Sequence, residues 1–238
     1  MSSPRALPAP FRWCEAGVAI ELEGGAALFT GFADGDFAPR EDPLPGQGER
    51  AATHVGVAVA RWAQDHQVHE HRVRVIGPHD EVRPFTTDAD GQATARRDVP
   101  VAVRVADCLP IALVAPEAVA VVHAGWRGLA AGIVEAGVTA MHDLGATRIS
   151  AAIGPGAGVC CYETGDEVHA AFAHLGPGMR VGPRVDLKAA ARALLEQWDV
   201  AEIHDCGLCT ICAPPGWFFS YRREGVHAGR QVGVAWRT

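Results

Sequence analysis

The stretch "VADCLPIALVAPEAVAVVHAGWRGL", Val105–Leu129, decides the fold because it is almost uncharged and consists of short apolar runs. Runs of this length, rich in Val, Ala and Ile and bounded by Pro, Gly or Asp, are typical of buried strands. Cys108 ends the run "VPVAVRVADC", and His123 ends the apolar run in "ALVAPEAVAVVHAGW". Functional side chains are commonly carried where strands give way to loops, so we expect these two strand ends to lie side by side.

Similar patterns continue on both sides of this stretch and predict an α/β fold. Apolar residues recur three or four apart in four further segments, which predicts helices there. The predicted strands are "VAIELEGGAALFTGF", "HRVRVIGP", "VPVAVRVADC", "LPIALVAP", "AVAVVHAG" and "RISAAIGP", and the predicted helices are Ala51–Gln64, Leu129–Leu144, Gly165–His174 and Asp186–Trp198. We therefore expect a single large mixed domain of layered sheets flanked by helices.

The composition is that of a globular protein with a sizeable core. The 238 residues are 48% hydrophobic and 21% charged, and no break in composition divides them, so one catalytic domain over residues 1–238 is expected. The segment "DFAPREDPLPGQGER" is rich in Pro and Gly and poor in residues that could bury apolar area. We predict a mobile loop over residues 35–50.

Charge and targeting signals exclude several classes of partner. The formal charge of −7 argues against a nucleic-acid surface, which needs clustered Lys and Arg. No run of eighteen apolar residues occurs, and prolines interrupt the N-terminal region where a signal peptide would need an apolar segment, so we expect a cytoplasmic protein without a membrane partner. Seven cysteines without an export signal are expected to be reduced thiols or ligands.

A third functional side chain is expected from "WAQDHQVHEHRVRVI", in which His66, His69 and His71 surround Glu70. One imidazole from this group, together with Cys108 and His123, would make a three-ligand zinc site with an open fourth position. The same trio would also suit covalent chemistry without a metal, with an imidazole deprotonating the thiol. A buried apolar thiol and ordinary loop histidines remain the simpler alternative for each residue alone.

A second group of cysteines occurs in "HDCGLCTIC", which spaces Cys206, Cys209 and Cys212 three residues apart. A metal would need a fourth ligand, either His204 or one of the pair Cys160 and Cys161. Because the spacing matches no common zinc finger, structural thiols are favoured over a metal here.

The C-terminal segment "FFSYRREGVHAGRQVGVAW" places Arg222, Arg223 and Arg230 among glycines after an aromatic group. Forked guanidinium donors in such a setting suit phosphate or another anion. The alternative is a solvated hairpin with packed aromatic residues, since "REG" is typical of a turn.

Taken together, these motifs resemble the laccase-domain proteins. The chain shares "QVH", "ADGQAT", "ADCLPI", "VVHAGWRGL", "IGPGAGVCCYETGDEV" and the C-terminal arginine segment with them, in the same order. The family was first called multicopper polyphenol oxidases and is now described as purine nucleoside phosphorylases with adenosine deaminase and methylthioadenosine phosphorylase activity. The resemblance therefore implies a metalloenzyme whose partners are a nucleoside, such as adenosine, inosine or methylthioadenosine, and phosphate.

The resemblance also assigns roles to residues. The family's catalytic metal ligands fall on His69, Cys108 and His123, which would hold zinc, or alternatively copper. Its two arginine motifs fall on the C-terminal segment, which makes Arg222, Arg223 and Arg230 candidates for binding phosphate or ribose.

Two departures from the family pattern bear on substrate preference. Glu70 stands where family members usually have glycine, so either a carboxylate approaches the metal or the turn differs. For deamination, Glu70 or Asp107 would be the candidate proton shuttle. The family's "SLNL" stretch is replaced by the segment "DFAPREDPLPGQGERAATHVG".

Two other functions stay open on sequence grounds. A copper-dependent polyphenol oxidase would need paired His-X-His motifs, whereas the eleven histidines are scattered and "HEH" occurs once. A non-enzymatic, zinc-stabilised nucleotide-binding module would close the trio with a fourth side chain such as His71 or Cys14.

Overall fold

The fold is given by a computed structural model in which residues 6–38 and 46–238 are described. These residues form thirteen strands and six helices, joined by short 3₁₀ turns. The strands are β1 (Arg12–Cys14), β2 (Gly17–Leu22), β3 (Gly25–Thr30), β4 (Val73–Ile76), β5 (Gly91–Thr94), β6 (Val101–Val105), β7 (Leu109–Val114), β8 (Val119–Ala124), β9 (Ser150–Ile153), β10 (Arg180–Val181), β11 (Arg184–Val185), β12 (Glu202–Asp205) and β13 (Gln231–Arg237). The helices are α1 (Glu49–Val55), α2 (Trp126–Ala131), α3 (Ile133–Asp143), α4 (Asp166–Phe172), α5 (Leu187–Gln197) and α6 (Tyr221–Glu224).

The central sheet has six strands in the order β12-β9-β7-β8-β5-β4. Its middle pairs are antiparallel, whereas β9 with β12 and β4 with β5 are parallel pairs at the two edges. Every residue of β7 and β8 is buried. Burial on both faces explains why these strands are continuous apolar runs and not alternating ones.

The second sheet has five antiparallel strands in the order β1-β2-β3-β13-β6. Its fourth strand, β13, comes from the C-terminus and inserts between β3 and β6. A short separate hairpin of β10 and β11 precedes α5.

The two sheets pack face to face, and helices cover both outer surfaces. Side chains such as Phe29, Val103 and Val121 fill the layer between the sheets. Helices α3, α4 and α5 cover the outer face of the six-stranded sheet, whereas α1 and Trp62 cover the five-stranded one. The expected mixed α/β fold of layered sheets flanked by helices is confirmed.

All six predicted strand segments contain strands, but the helix predicted over Ala51–Gln64 is wrong in its second half. Helix α1 ends at Val55 because Gly56 adopts the left-handed conformation, with φ of 78°. Beyond this point the chain leaves the helical path, and Ala63 forms a parallel bridge with Val101 of β6.

The helix predicted over Leu129–Leu144 is two helices. Gly132, with φ of 97°, ends α2 and begins α3 in a new direction. The predicted helices at Gly165–His174 and Asp186–Trp198 are confirmed as α4 and α5. The side chain of Asp186 caps α5 by accepting from the backbone N–H of Ala189.

The loop predicted over residues 35–50 is shorter at its C-terminal end, since α1 begins at Glu49. Phe37, within the same segment, is buried against α1, contrary to the expectation that little apolar area is buried here. Residues 39–45 of this loop lie outside the described residues.

The helices of the described residues are each too short or too polar to cross a lipid bilayer.

Candidate metal centre and substrate cavity

Cys108 and His123 are brought together by the antiparallel hairpin of β7 and β8. In this register Pro110 lies opposite His123, so Cys108, just before β7, reaches the end of β8 where His123 lies. Strand β6 ends at Val105, so Cys108 belongs to the turn before β7 and not to the end of β6. The predicted adjacency of the two side chains is nevertheless present.

His69 reaches the same point from the loop that precedes β4. Its backbone has φ of 63°, an uncommon conformation for a residue other than glycine. Asp90, just before β5, holds this loop because its carboxylate accepts hydrogen bonds from the backbone N–H groups of Val68, His69 and Glu70 at 3.1, 3.0 and 2.9 Å. The strained conformation at His69 is therefore fixed by a buried acceptor.

The trio forms a compact donor set. One ligand atom each from His69, Cys108 and His123 lies within 4.8 Å of the other two. The two imidazole rings stand nearly perpendicular, with centroids 4.7 Å apart. His69 is exposed, Cys108 is half-buried and His123 is buried, so the trio lies where the core meets an open surface.

Asp90 also fixes His123. Its Oδ1 lies 2.7 Å from Nδ1 of His123, and both side chains are buried. Since Nδ1 is occupied by this hydrogen bond, Nε2 is the nitrogen that faces Cys108. Asp90 was not assigned a role from sequence, although the "ADGQAT" motif carries it, because a carboxylate just before a short polar strand has no periodic signal.

The trio is electrostatically coupled. Burial alone raises the pKa of the Cys108 thiol, but the adjacent His123 and His69 lower it to about 6. Burial lowers the pKa of His123, whereas Cys108 and Asp90 raise it to about 9. At neutral pH, the metal-free site therefore favours a thiolate beside an imidazolium, and the thiolate is the form that binds metals or attacks electrophiles.

The donor set opens into a cavity of about 610 Å³, a size typical of small-molecule sites. Three aromatic side chains and four arginines line it together with the metal-ligand trio. The aromatic residues are Trp126, Tyr162 and Tyr221, and the arginines are Arg104, Arg127, Arg222 and Arg230. The cavity thus combines flat apolar surfaces with a concentration of positive charge.

Arg104 is the most buried of these arginines, with 8% of its surface exposed. Burial and the neighbouring Arg230 lower its pKa to about 10, so it stays charged at neutral pH. Its Nη1 is buried without a hydrogen-bond partner, and within residues 6–38 and 46–238 neither Arg104 nor Arg230 forms an ion pair with a carboxylate. Sequence reasoning missed Arg104, whose only signal is a lone arginine in the apolar run "VPVAVRVADC".

The three arginines predicted from the C-terminal segment have different surroundings. Arg222 lines the cavity, with its guanidinium 4.9 Å from the ring centroid of Tyr162, and Arg230 lines it too. Arg223 does not line it. Its guanidinium donates to the carbonyl oxygens of Phe218 and Thr210, so it braces the loop before α6.

The two carboxylates predicted as proton shuttles also differ. Both oxygens of the buried Asp107 already accept hydrogen bonds, from Thr210 Oγ1 at 2.6 Å, Ser220 Oγ at 3.1 Å and the backbone N–H of Arg222 at 2.7 Å. Glu70 is exposed next to His69. The positive φ in this turn belongs to His69 and not to Glu70, so a side chain at position 70 causes no backbone strain.

The second cysteine group is composed differently from the sequence expectation. Cys209 and Cys212 join Cys160 and Cys161, and the four Sγ atoms lie within 4.8 Å of one another. Cys206 is instead buried in the layer between the sheets, and His204 lies beside Glu202. Neither His71 nor Cys14 is part of a ligand cluster in the described residues.

The chain belongs to the family described as multi-copper polyphenol oxidoreductase laccase, which matches residues 44–238. It is 38% identical over 202 residues to purine nucleoside phosphorylase ORF3 of Streptomyces griseus, covering 79% of each chain. It is also 38% identical over 200 residues to adenosine deaminase RL5 from an unknown prokaryotic organism, covering 75% of this chain and 76% of that protein. The family resemblance seen in the sequence is confirmed.

A solved structure shares the fold. The crystal structure of the Bacillus licheniformis hypothetical protein YfiH has a TM-score of 0.80 to this chain and 24% sequence identity, covering 97% of this chain and 100% of that one. At this identity the likeness concerns the fold alone.

The residues present fit a metal of the family's kind. Two imidazole nitrogens and one thiolate are donors that zinc takes, and three protein ligands leave a fourth position open, as in catalytic zinc sites. The hydrogen bond from Asp90 to His123 is of the type that orients metal-bound histidines. A set of two histidines and one cysteine also suits copper.

Proposed function

We propose that this protein is a purine nucleoside phosphorylase that acts on adenosine, inosine and methylthioadenosine with phosphate. The observation that carries the proposal is the shared cavity, which four arginines line together with the Cys/His/His trio. Phosphorolysis needs an anionic co-substrate next to the metal-type donors, whereas hydrolysis uses water. Arginines in the same cavity therefore favour phosphorolysis. The family relatives named as purine nucleoside phosphorylases support the same class of reaction.

The arginines would bind phosphate. Arg104 and Arg230 are positive, close to each other and without a carboxylate partner in the described residues, so a dianion would relieve their mutual repulsion. Arg222, whose guanidinium lies over the ring of Tyr162, would be a further donor to the phosphate. Guanidinium groups bind phosphate oxygens in pairs, which fixes the orientation of the attacking oxygen.

The purine would lie against the aromatic residues. Tyr162 is buried, whereas Tyr221 is 50% exposed at the mouth of the cavity, so together they offer an inner and an outer surface for the base. In the reaction a phosphate oxygen forms a bond to C1′ of the ribose while the C1′–N9 bond breaks. The bonding electron pair leaves with the purine, which takes up one proton.

His69, Cys108 and His123 would hold the metal, zinc or alternatively copper. When bound, the metal would supply Lewis-acid stabilisation of negative charge at its open position. Asp90 would keep His123 in the tautomer that presents Nε2. Asp107, with three donors on its carboxylate, would fix the turn that carries Cys108.

Product analysis tests the proposal. Untagged, metal-replete protein incubated with inosine, adenosine or methylthioadenosine and phosphate is expected to release the free base and ribose 1-phosphate or its methylthio analogue. Cys108→Ser should abolish the reaction, whereas Cys206→Ser, the same change at a buried thiol outside the cavity, should retain it. Absence of sugar phosphate at high concentrations of folded, metal-loaded protein would reject phosphorolysis.

Adenosine deamination at the same centre is a second candidate, favoured by the relative named adenosine deaminase RL5. The reaction needs a carboxylate that moves protons near the metal. Glu70 is exposed and follows His69 in the chain, although it does not line the cavity, whereas Asp107 lines the cavity but both of its oxygens already accept hydrogen bonds. Glu70→Gln should abolish ammonia release from adenosine. Retained release in both Glu70→Gln and Asp107→Asn would reject these assignments.

A polyphenol oxidase has less support from the site. The two clusters of metal-type donors in the described part of the chain are the Cys/His/His trio and a group of four cysteines without a histidine. Multicopper centres are rich in imidazole ligands. We also propose that the protein works in the cytoplasm, since none of the seven cysteines forms a disulfide.

A further inference from the structure

Four cysteines from two separate loops meet at the end of the central sheet. Strands β9 and β12 are parallel neighbours, so the loops that follow them leave the sheet at the same edge. Cys160 and Cys161 belong to the first loop, and Cys209 and Cys212 to the second. A parallel bridge between Gly156 and Cys209 holds the two loops in register.

The spacing of the sulfur atoms suits a tetrahedral metal site. All four Sγ atoms lie within 4.8 Å of one another, and those of Cys160 and Cys212 are 3.6 Å apart. Zinc–sulfur bonds of about 2.3 Å in a tetrahedron separate neighbouring sulfurs by roughly 3.8 Å. A disulfide would need about 2.05 Å. The separation of Cys160 and Cys212 therefore fits two ligands of one ion and is too long for a disulfide.

One backbone amide contacts the cluster. The N–H of Gly158 donates to Sγ of Cys209 at 3.3 Å. Hydrogen bonds from such neighbouring groups orient metal ligands and tune their donor strength.

Charged side chains of both signs lie near the cluster. A cavity of about 760 Å³ is lined by Cys160, Cys209 and Cys212 together with Arg192 and the ion pair of Lys188 with Asp205, whose atoms are 2.6 Å apart, while Asp186 also lines it. Four thiolates around one divalent ion carry a net charge of about −2, and nearby cations lower the cost of holding it.

We propose that Cys160, Cys161, Cys209 and Cys212 bind one zinc ion, at a site separate from the Cys/His/His centre. Four protein ligands with no open position are typical of structural zinc. Binding displaces the four thiol protons and leaves the oxidation state of metal and sulfur unchanged. The resulting bridge would fasten the loop after β9 to the loop after β12.

The bridge has a consequence for the neighbouring cavity, which rests on the proposed function. Thr210, between Cys209 and Cys212, donates to Asp107, and Asp107 precedes Cys108. Tyr162 follows Cys161 and lines the substrate cavity. The zinc would therefore be a positioning element for two walls of the cavity, without contact to substrate.

Metal counting on folded protein tests the proposal. Untagged protein, expressed with added zinc and freed of loosely bound metal, should contain about two zinc ions per chain by mass spectrometry of the metal. His123→Ala and Cys212→Ser should each contain about one, and the double variant none. Cys206→Ser, which changes a thiol outside the cluster, should keep both. Wild-type protein with one zinc that Cys212→Ser fully retains would overturn the proposal.

A measurement on wild-type protein covers the case in which Cys212→Ser fails to fold. Titration with an organomercurial reagent and a zinc indicator should release one zinc ion in step with the modification of four thiols, which peptide mapping should assign to this cluster. Free alkylation of these four thiols in native, zinc-loaded protein, or an isolated Cys160–Cys212 disulfide, would overturn it. Two zinc ions without phosphorolysis would reject the proposed function and leave this site intact.

Discussion

The carboxylate of Asp90 connects the two histidines of the candidate metal centre. It accepts the hydrogen bond from Nδ1 of His123 at 2.7 Å and, at the same time, the backbone N–H of His69 at 3.0 Å. Burial alone would raise the pKa of Asp90, but the hydrogen bond and charge of His123 and the backbone N–H groups of Glu70 and Val68 hold that pKa below its ordinary value. One ionised side chain thus orients an imidazole ring and a strained loop together.

Asp90→Asn should weaken zinc binding at this centre by roughly 10–100-fold, the usual cost of removing a carboxylate behind a metal-bound histidine. The amide loses the negative charge and can no longer accept at both positions. Competition with a chelator of known affinity would measure the change. Asp88→Asn, at an exposed position two residues away, is the matched control and should bind zinc as wild type does. Equal affinities for both variants would contradict the assigned role of Asp90.

Gly125 is the residue whose side chain must be absent for the trio to assemble. A Cβ atom at this position would lie 2.9 Å from Sγ of Cys108 and 3.4 Å from Cδ2 of His69. Gly125→Ala should therefore displace the thiol and reduce the zinc content of the Cys/His/His centre, while circular dichroism stays unchanged. Gly178→Ala, where an added Cβ meets nothing within 4 Å, is the control. Full zinc occupancy in Gly125→Ala would show that the trio tolerates the shift.

The fold could be predicted where apolar runs are long and continuous. Strands β7 and β8 are buried on both faces, so their sequences carry a strong signal. Strands β5, β12 and β13 gave no such signal. The first two have four residues each, and β13 contains Gly233 and follows an arginine-rich segment that suggested a binding loop.

In the candidate site, too, some contacts could be predicted from the sequence and others could not. Cys108 and His123 could be paired because each ends an apolar run, and the hairpin of β7 and β8, a local relationship, brings them together. Asp90 is 33 residues from His123 and meets it only through the pairing of β5 with β8. Cys160 and Cys161 join Cys209 and Cys212 only through the parallel pairing of β9 with β12. Long-range register, which periodicity does not encode, decided these contacts.

Asp34 should make the stability of the protein depend on pH. Burial raises its pKa from 3.8 to about 6, although the backbone N–H groups of Ala51 and Arg50 oppose this. The folded state therefore holds a proton that the unfolded state loses. This proton stabilises the fold fully below pH 3.8, the pKa of the unfolded chain. The stabilisation, up to about 3 kcal/mol, is lost as the pH rises through about 6. Urea unfolding of wild type and Asp34→Asn at pH 4 to 7 should show the variant gaining relative stability with pH. A pH-independent difference would contradict the raised pKa.

Arg104 should determine the affinity for phosphate. Its guanidinium lies 4.3 Å from the ring centroid of Phe85 and lines the cavity without an ion-pair partner in the described residues, so the proposed phosphate would supply the counter-ion. Arg104→Met keeps much of the aliphatic volume and removes the charge. Loss of a charged hydrogen bond worth about 1.5–3 kcal/mol should raise the KM for phosphate by roughly 10–100-fold. The KM for inosine should change far less, because the aromatic side chains of the cavity are untouched.

Arg148→Met, at an exposed ion pair with Glu202, is the control and should leave both constants unchanged. An unchanged KM for phosphate in Arg104→Met, measured by initial rates of ribose 1-phosphate formation, would exclude Arg104 from the phosphate site.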